Sequence, residues 1–473
     1  MRFVFVILLL LSTIDANGQA LVPAASATSP APPAPAAAPA PLKVGDVTVT
    51  GTLRPRVYAW DWFQPASGNN EYQYSGNLLR LNFSENRRKW QWDAELAVPF
   101  LLGLPAGSTG TAPQQGALGL GSNYLSANRG NQNAVMVFPR QLYIQFDAPG
   151  TEKGQLRIGR FTFLDGTELA PKNATLAALK RDRVTQRLLG DFGFSDVGRS
   201  FDGAHYSYAA SAATNVTVIA AVPTRCVYTR LFAIEYDDWR HILKTDNRPV
   251  AARRADTDNI VVNTFGGHTL HALETKGGTV SLMFWGAVQT GRWGTERQRA
   301  GAIDAEAGFQ PNFLPHVKPW LRGGYTWGSG DDNPNDNTHR TFFQLLPTPR
   351  PYARFPFFNM MNNEDAFGAL ILRPHAKITV SSEFHSLRLS NANDLWYSGG
   401  GVFQPWTFGY SGRATSSRRS LGNLYDTNLE FRMNRKLTLT GYFGYTQGLA
   451  AVKQIYPQGK DAKFGYLEAL YRF

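Results

Sequence analysis

Cysteine is nearly absent from the sequence, since Cys226 is the only one among 473 residues. One cysteine cannot form an intrachain disulfide or a multi-cysteine zinc site, so both are excluded. No G-x-S-x-G or H-E-x-x-H motif occurs, and the eight histidines are scattered. The acidic stretch GSGDDNPNDN at 328–337 lacks the spacing and the distal Glu of an EF-hand, which favours an outer loop over a calcium site. We therefore predict that the protein is not an enzyme and binds no metal or cofactor.

Long apolar runs are also scarce in the sequence. The run at Phe3–Leu11 follows Met1 and Arg2 and precedes the small and polar residues 12–20. This succession is typical of a secretory signal peptide, residues 1–20, with cleavage predicted after Ala20. About nine apolar residues are too few for a helix that must cross roughly 30 Å of hydrocarbon. No later stretch reaches the roughly 18 apolar residues of a transmembrane helix, so a mature chain in a membrane must cross it as a closed β-barrel.

The composition changes again after the predicted signal peptide. Residues 21–42 consist almost entirely of Ala, Pro, Ser, Val and Leu, which predicts an extended periplasmic linker that cannot fold by itself. The folded domain is predicted to cover residues 43–473. Lys and Arg together number 48 against 36 Asp and Glu, which gives a formal net charge of +12. This charge indicates an anionic partner, and export argues against nucleic acid.

Apolar and polar residues alternate in short segments of the folded domain. Leu79, Leu81 and Phe83 alternate with Arg80 and Asn82. The same pattern recurs at 90–96, 142–147, 377–385, 427–432 and 467–473. A period of two indicates strands that have one apolar and one polar face.

The connections between these segments favour a membrane barrel over a soluble β-sandwich. Short turns such as SENRRK, APGTEKG and NRK alternate with long segments at 100–137, 162–199, 329–362 and 390–421. Outer-membrane barrels have short periplasmic turns and long outer loops. Aromatic residues at strand ends predict an interfacial girdle: Tyr58, Trp60, Trp320, Trp327, Tyr471 and Phe473. We predict an all-β fold, a transmembrane antiparallel β-barrel of about 16–18 strands in the bacterial outer membrane.

Several longer blocks resemble one known family. They are GRSFDGAHYSY at 198–208, WGAVQTGRWG at 285–294, PWLRGGYTWGSGDDNP at 319–334, TFFQLLPTPRPYARFPFFNMMNNEDAF at 341–367 and DLWYSGGG at 394–401. As a set they resemble the alginate-export-type family of outer-membrane barrels, over roughly residues 43–473. The resemblance implies about eighteen strands. It also implies a lumen lined by Arg and Lys that conducts an anionic polysaccharide.

Arginines on the polar strand faces are the candidate lumen residues. Arg54 and Arg56 share a face with Tyr58, and three others lie next to apolar residues that would face lipid: Arg80, Arg157 and Arg322. An Arg that faces lipid at the midplane costs about 2–4 kcal/mol, so these five are predicted to face the lumen. Arg also stays charged and offers a planar fork to a carboxylate, as an anion pathway requires.

A second basic cluster lies in the segment 162–199. It contains Lys180, Arg181, Arg183, Arg187 and Arg199. Leu176 and Leu179 recur at helical spacing, which predicts a helix. The helix either folds into the lumen and forms a constriction, or remains a solvated outer loop that binds lipopolysaccharide phosphates.

The predicted function is a passive channel for an anionic, uronate-like polysaccharide or oligosaccharide. A porin for the uptake of small solutes is the alternative, and an outer-membrane hydrolase or an adhesive barrel are more distant ones. Acids also lie on polar strand faces, and most are expected to pair with basic groups structurally: Asp93, Glu95, Asp147, Glu306, Glu383, Asp426, Glu430 and Glu468. The expected partners are outer-membrane lipids, lipopolysaccharide, an anionic saccharide and the barrel-assembly machinery, with Phe473 as part of the assembly signal.

Overall fold

The structure is a computed structural model that describes residues 4–11, 41–111, 115–147, 154–167, 171, 173–211, 214–218, 227–347, 354–400 and 408–473. Strands dominate these residues. They are β1 Val4–Leu11, β2 Leu42–Val44, β3 Val47–Asp61, β4 Glu71–Asn86, β5 Trp90–Leu102, β6 Ala134–Val135, β7 Phe138–Asp147, β8 Gly154–Phe161, β9 Phe201–Ser211, β10 Thr214–Val218, β11 Val227–Asp238, β12 Ile260–Thr275, β13 Gly278–Trp293, β14 Glu296–Pro311, β15 Trp320–Gly328, β16 Thr338–His339, β17 Asn363–His375, β18 Ile378–Arg388, β19 Leu395–Gly399, β20 Tyr410–Ala414, β21 Ser420–Arg432, β22 Leu437–Gly448 and β23 Asp461–Arg472.

The helices are short and lie in the connections between strands. They are α1 Leu120–Ala127, α2 Ala174–Leu179, α3 Val250–Ala255 and α4 Ala450–Ile455, with one π-helical turn at Lys180–Val184 that continues α2. No helix in the described part of the chain is long and apolar enough to span a membrane.

The strands form an antiparallel barrel, which confirms the predicted fold class. One sheet contains 21 strands, and β19 and β20 form a separate pair. Three strands of the sheet, β2, β6 and β16, are only two or three residues long. The other 18 strands of this sheet pair with one another in a ring. Each of these 18 pairs antiparallel with two neighbours, and β23 pairs with β3. The number agrees with the upper end of the predicted range, and it includes β1, which lies within the predicted signal peptide; the ring without β1 has 17 strands.

The signal peptide and the linker remain predictions. Residues Val4–Leu11 form β1, which lies between β10 and β11 and pairs with Leu231–Asp238. Almost all of the predicted linker, residues 21–42, falls outside the described residues. The short strand β2 pairs with the beginning of β3.

The alternation of side chains along the strands separates an apolar outer face from a lumen face. Leu321 is 52% exposed and Leu467 is 72% exposed, whereas the adjacent Arg322 and Tyr466 are buried. In a barrel of this kind the exposed apolar side chains face lipid. The two faces follow from the two-residue period of the sequence, because successive Cβ atoms of a strand point to opposite sides.

The predicted aromatic girdle is partly wrong. Tyr58, Trp60 and Trp320 are at most 3% exposed and face the lumen, where they pack against connecting segments. Tyr471 and Phe473 are about 40% exposed, face outward and stack on each other with ring centroids 6.1 Å apart. Residue type alone could not distinguish these two sets, since aromatic rings suit both a membrane interface and a packed core.

Short and long connections alternate around most of the ring, with one exception: only two residues join β13 and β14 at the end of the long connections. β4 and β5, β12 and β13, β17 and β18, and β21 and β22 are joined by at most four residues at one end of the barrel. At the other end lie the long segments, and many of their described residues fold inward and are buried. Their side chains pack with the inward aromatic residues of β3, β22 and β23 into one hydrophobic cluster. The core of this barrel therefore lies within the lumen.

Candidate functional site

The lumen is the candidate functional site, because the inward side chains of the ring strands meet there. All five strand arginines proposed from the alternation have inward side chains: Arg54, Arg56, Arg80, Arg157 and Arg322. Ile158 and Leu321, adjacent to two of them, are 46% and 52% exposed on the outer face. The groups that each guanidinium contacts determine what it can do.

Two of these arginines hold a connecting segment against β3. Arg54 donates hydrogen bonds of 2.7 Å to the carbonyl oxygens of Gly193 and Ser195. Arg56 is 1% exposed, donates to the carbonyl of Phe194 at 2.8 Å and forms an ion pair with Glu468. Both guanidinium groups are occupied within the chain, so they act as anchors for residues 193–196.

The described residues of the basic segment 162–199 fold into the lumen, which corresponds to the first of its two predicted alternatives. Asn173 caps α2, since its side-chain oxygen accepts hydrogen bonds from the backbone N–H groups of Thr175 and Leu176 at 3.0 and 3.1 Å. The apolar side of α2 then packs against buried residues of the barrel wall. A solvated outer loop would leave these side chains exposed, whereas Leu176 and Leu179 are at most 3% exposed.

The arginines that follow α2 are bound to acids of the wall. Arg183 forms an ion pair with Glu306, and Arg187 forms one with Asp304. The side chains of Arg187 and Asp304 are both fully buried. Burial of two charges is tolerated when they pair directly, and removal of either one leaves the other uncompensated. This contact fixes the segment to the inner surface of β14.

The other predicted lumen arginines, Arg181, Arg199 and Arg322, differ in their exposure and in their contacts. Arg181 has a side chain that is 65% exposed and pairs with the adjacent Asp182 at 2.7 Å. Arg322 contacts Glu306 at 3.3 Å and Asp182 at 3.8 Å. Arg199 donates to backbone carbonyls, among them that of Gly190 at 3.0 Å. Burial lowers the pKa of Arg199 to about 10, so its guanidinium remains charged at neutral pH.

Arg80 shares a carboxylate with an arginine that the sequence did not indicate. Glu95 lies 3.7 Å from Arg80 and 2.8 Å from Arg140, and Arg140 also contacts Asp191 at 2.5 Å. The register between β5 and β7 shifts at Glu95, so that Arg140 and Gln141 both reach this acid. Such a bulge breaks the two-residue period, which explains why alternation missed Arg140.

Arg157 has a different environment from the other lumen arginines. Its guanidinium donates to the side-chain oxygen of Gln145 at 3.2 and 3.0 Å and lies 4.3 Å above the ring of Tyr143. Among the described residues, no carboxylate oxygen lies within 4.0 Å of it. The amide and the ring that it contacts are neutral, and Asp93 lies within electrostatic range of it without forming an ion pair. The side chain of Arg157 remains partly exposed in the lumen.

The aromatic connecting segments narrow the lumen, and the sequence did not predict their place. Phe355 lies 5.9 Å from Trp60 and 5.6 Å from Phe464 between ring centroids, so residues after 353 reach the inner surface of β3 and β23. Phe357 contacts Trp396 in the same cluster. The richness of 341–361 in Phe and Met was the only signal, since loops that remain in water rarely carry so many large apolar residues.

The acidic stretch at 328–337 forms a connecting segment after β15. Arg340 contacts Asp331 at 3.5 Å, Asp332 at 3.3 Å and Asp336 at 2.6 Å. A guanidinium thus lies among the carboxylates that were considered for calcium. Within the described residues, no group of three or more His, Cys, Asp or Glu is arranged to hold a metal ion.

Comparison with known proteins agrees with this architecture. The sequence model of the family described as Alginate export matches residues 131–450, which is more than half of the chain. Pseudomonas aeruginosa OpdL is 10% identical with a TM-score of 0.51, over 91% of this chain and 99% of that one. OccK9 (OpdG) of the same organism is 10% identical with a TM-score of 0.50, over 90% and 98%. Identity this low concerns the fold alone. No curated protein matches the sequence.

The family match and the fold together determine the general class of the protein. A ring of antiparallel strands with an apolar outer face and an inward polar face is an outer-membrane barrel. Its location is the bacterial outer membrane, and its general function is that of a channel for a solute or polysaccharide. The chain belongs to the alginate export family.

Proposed function

We propose that this channel conducts an anionic solute, a uronate-like polysaccharide or oligosaccharide, along lumen arginines that form no ion pair with the described part of the chain. The environment of Arg157 carries this proposal. Most other arginines of the lumen are bound to carboxylates, as in Arg56 with Glu468 or Arg187 with Asp304. Arg157 contacts neutral groups instead, which leaves its positive charge available to a solute.

The surroundings of Arg157 suit an acidic sugar in two ways. A guanidinium presents a planar fork that can bind both oxygens of a carboxylate. Tyr143 lies beneath it with its ring 4.3 Å from the guanidinium carbon, and the cation and ring together form a flat surface. Charge in a narrow aqueous lumen is also screened less than charge on an open surface.

Arg80 and Arg140 extend the basic surface toward β4 and β7. Two guanidinium groups share the single carboxylate of Glu95, while Arg140 also contacts Asp191. Arg80 retains a side chain that is 25% exposed. We assign to Arg80 a secondary contribution to anion attraction, since its ion-pair contact with Glu95 is long at 3.7 Å.

The test compares two arginines of the same strand that face opposite sides. Arg157 faces the lumen, whereas Arg160 forms an outer ion pair with Asp202 at 2.7 Å and serves as the matched control. Reversal potentials across a KCl gradient are measured for the parent, R157S and R160S. We expect anion selectivity in the parent, a clear decrease in R157S and no change in R160S. Cation selectivity in the parent, or an equal effect of the two changes, would refute the proposal.

The same channels are then exposed to uronate oligomers of increasing length. A polymer pathway predicts that block of the ionic current becomes stronger with each added sugar, and that R157S weakens it about tenfold, equivalent to about 1.4 kcal/mol. Neutral oligosaccharides of the same length are the control. Equal block by neutral and acidic oligomers would remove the uronate part of the proposal.

The second candidate function is a porin for small solutes. The inward packing of the connecting segments favours it, since Phe355, Phe357 and Trp396 reduce the open part of the lumen. A porin that admits only small solutes predicts block by mono- and disaccharide acids, and none by longer oligomers. The length series therefore distinguishes the two functions.

A further inference from the structure

The outer face of the β13–β14 hairpin carries three arginines that have no function in the lumen. Arg292, Arg297 and Arg299 are exposed near the end of the hairpin, on the side of the long connections. Arg292 lies directly opposite Arg297 in the register, and Arg299 lies opposite Thr290. Like charges directly opposite each other destabilise a sheet, so this arrangement favours an anion between them.

Acids of the described chain do not neutralise these arginines. None of the three forms an ion pair within 4.0 Å in the described residues. On the neighbouring strands, the outer-face acid Asp237 is two strand spacings from Arg292, or about 10 Å across β12. Glu235 is three spacings from Arg299, or about 14 Å across β12 and β13. Asp336 lies in the surroundings of Arg297 but is bound to Arg340 at 2.6 Å.

An apolar groove lies on the same outer face, next to the arginines and toward the membrane. Its walls are Phe284, Val288 and Ile303, which are 50%, 57% and 39% exposed. Its floor is formed by Gly286 and Gly301. Gly301 pairs with Val288 and is two residues from Arg299, so Arg299 lies about 7 Å from the upper end of the groove. Arg292 and Arg297 are each four residues from that end, or about 14 Å along the strands.

We propose that this face binds a phosphorylated glycolipid of the outer leaflet, the lipid moiety of lipopolysaccharide. Its phosphate groups contact Arg292, Arg297 and Arg299, and one acyl chain lies in the groove between Val288 and Ile303. Charge complementarity identifies the occupant, because phosphate binds guanidinium through paired, charge-assisted hydrogen bonds. Adjacent apolar and cationic surfaces at a membrane boundary match a molecule that is an acid at one end and a hydrocarbon at the other.

The first test measures equilibrium binding of this glycolipid, with two, one or no phosphates, to the full chain in lipid nanodiscs. R292S/R297S/R299S is compared with R88S/R418S/R435S, which removes three exposed arginines outside the β13–β14 hairpin. We expect the first variant to bind the bisphosphorylated lipid at least tenfold more weakly and the control to bind as the parent does. Equal affinity of the two variants, or indifference of the parent to the phosphates, would overturn the proposal.

The second test fills the groove. A Cβ added at Gly301 would meet its first neighbour, the carbonyl oxygen of Ala287, at 3.5 Å, and one at Gly286 would meet Phe284 at 3.6 Å. G286L and G301L therefore fit without strain of the backbone. We expect them to weaken binding of the acylated lipid and to leave binding of the deacylated head group unchanged. Unchanged binding of the acylated lipid would overturn the placement of the chain.

Two further measurements keep these results interpretable. Heat-modifiable migration on gels verifies that each variant is a folded barrel. Because the three arginines face outward, the reversal potential of R292S/R297S/R299S is expected to equal that of the parent. A changed reversal potential with unchanged lipid binding would assign these arginines to permeation and would overturn the proposal. Failure of the lipid site leaves the function proposed for the lumen unaffected.

Discussion

At the scale of single residues, charge inside the barrel serves mainly to attach the connecting segments to the wall. Arg54 and Arg56 bind residues 193–196, and Arg183 and Arg187 bind acids of β14. Wide barrels otherwise leave an open channel, because strand side chains cannot fill them. Basic residues from the loops and acidic residues from the strands therefore determine how much of the lumen remains open.

Replacement of Arg187 tests this anchoring. R187L leaves the buried Asp304 without its cation, so we expect a loss of about 3–5 kcal/mol in the free energy of unfolding. The double variant R187L/D304L removes both charges and is expected to recover part of that loss. R181S is the control, since its partner Asp182 is adjacent and Arg181 is exposed, and it should cost less than about 1 kcal/mol.

Urea unfolding of the three variants in detergent gives the free energies. The anchoring role also predicts a larger single-channel conductance for R187L, because the segment it fixes would leave the wall. A double variant that is as unstable as R187L would contradict the role assigned to the pair.

Alternation predicted which face the strand residues occupy, but it could not predict their partners. Arg80, Arg157 and Arg322 were assigned to the lumen from single neighbours in sequence, and their side chains lie there. Whether a lumen arginine is neutralised depends on residues more than a hundred positions away, as for Arg183 and Glu306. Arg140 was missed because a bulge locally changes the period.

At the scale of elements, the last strand is joined to the first by more than its ladder of hydrogen bonds. The backbone N–H and carbonyl of Phe473 bond to Gly51 at 3.1 and 3.0 Å. A Cβ at Gly51 would lie 2.4 Å from the ring of Phe473, so the ring packs directly on the glycine of β3. Gly51 therefore provides the space that the C-terminal ring occupies.

Deletion of Phe473 is expected to lower the amount of barrel assembled in the membrane. The deletion removes two backbone hydrogen bonds at the seam and the ring that stacks on Tyr471. G51V is the complementary change, since its side chain would meet the same ring while the C-terminal sequence stays intact. Heat-modifiable protein in outer-membrane fractions is the measurement. If Phe473 is a signal for assembly as well as a packing residue, its deletion lowers assembly more than G51V does.

Unchanged assembly after the deletion would count against any such role.

The helix in 162–199 shows what the sequence of a single element cannot predict. Its leucine spacing predicted α2, but six residues do not form a stable helix in isolation. Its place in the lumen follows from the wall residues that it meets, which its own sequence does not contain.

At the scale of the whole molecule, the sequence and the structure differ over β1, the strand between β10 and β11. The sequence predicts that residues 1–20 are removed on export, whereas Val4–Leu11 pair with β10 and β11. Both of those strands are antiparallel to β1, so they run in the same direction. A barrel without β1 would bring them together as a parallel pair.

N-terminal sequencing of the protein from outer membranes decides between these forms. We expect the mature chain to begin at Leu21, because the first twenty residues have the order of a secretory signal. Cysteine pairs introduced into β10 and β11 should then form disulfides in the mature barrel. A chain that retains Met1 would instead make β1 a permanent strand and would show that the predicted domain boundary is wrong.

The overall architecture could be predicted from the sequence because it depends on repetition. A two-residue period, a signal peptide and alternating connection lengths are each local patterns, and together they specify a barrel of the observed size. The interior depends on contacts such as Phe355 with Trp60, which join distant segments without any repeated pattern. That difference explains why the fold was predictable and the shape of the lumen was not.

The ion pair between Arg56 and Glu468 joins residues 412 positions apart across the seam of β3 and β23. Contacts between such distant parts of a chain form late, because the whole intervening length must first be in place. Until then β3 carries an unpaired edge and Arg56 has no carboxylate from β23. A chain that is incompletely synthesised or has lost its last strand to proteolysis would keep both defects. The stability of the barrel therefore depends on a complete final strand.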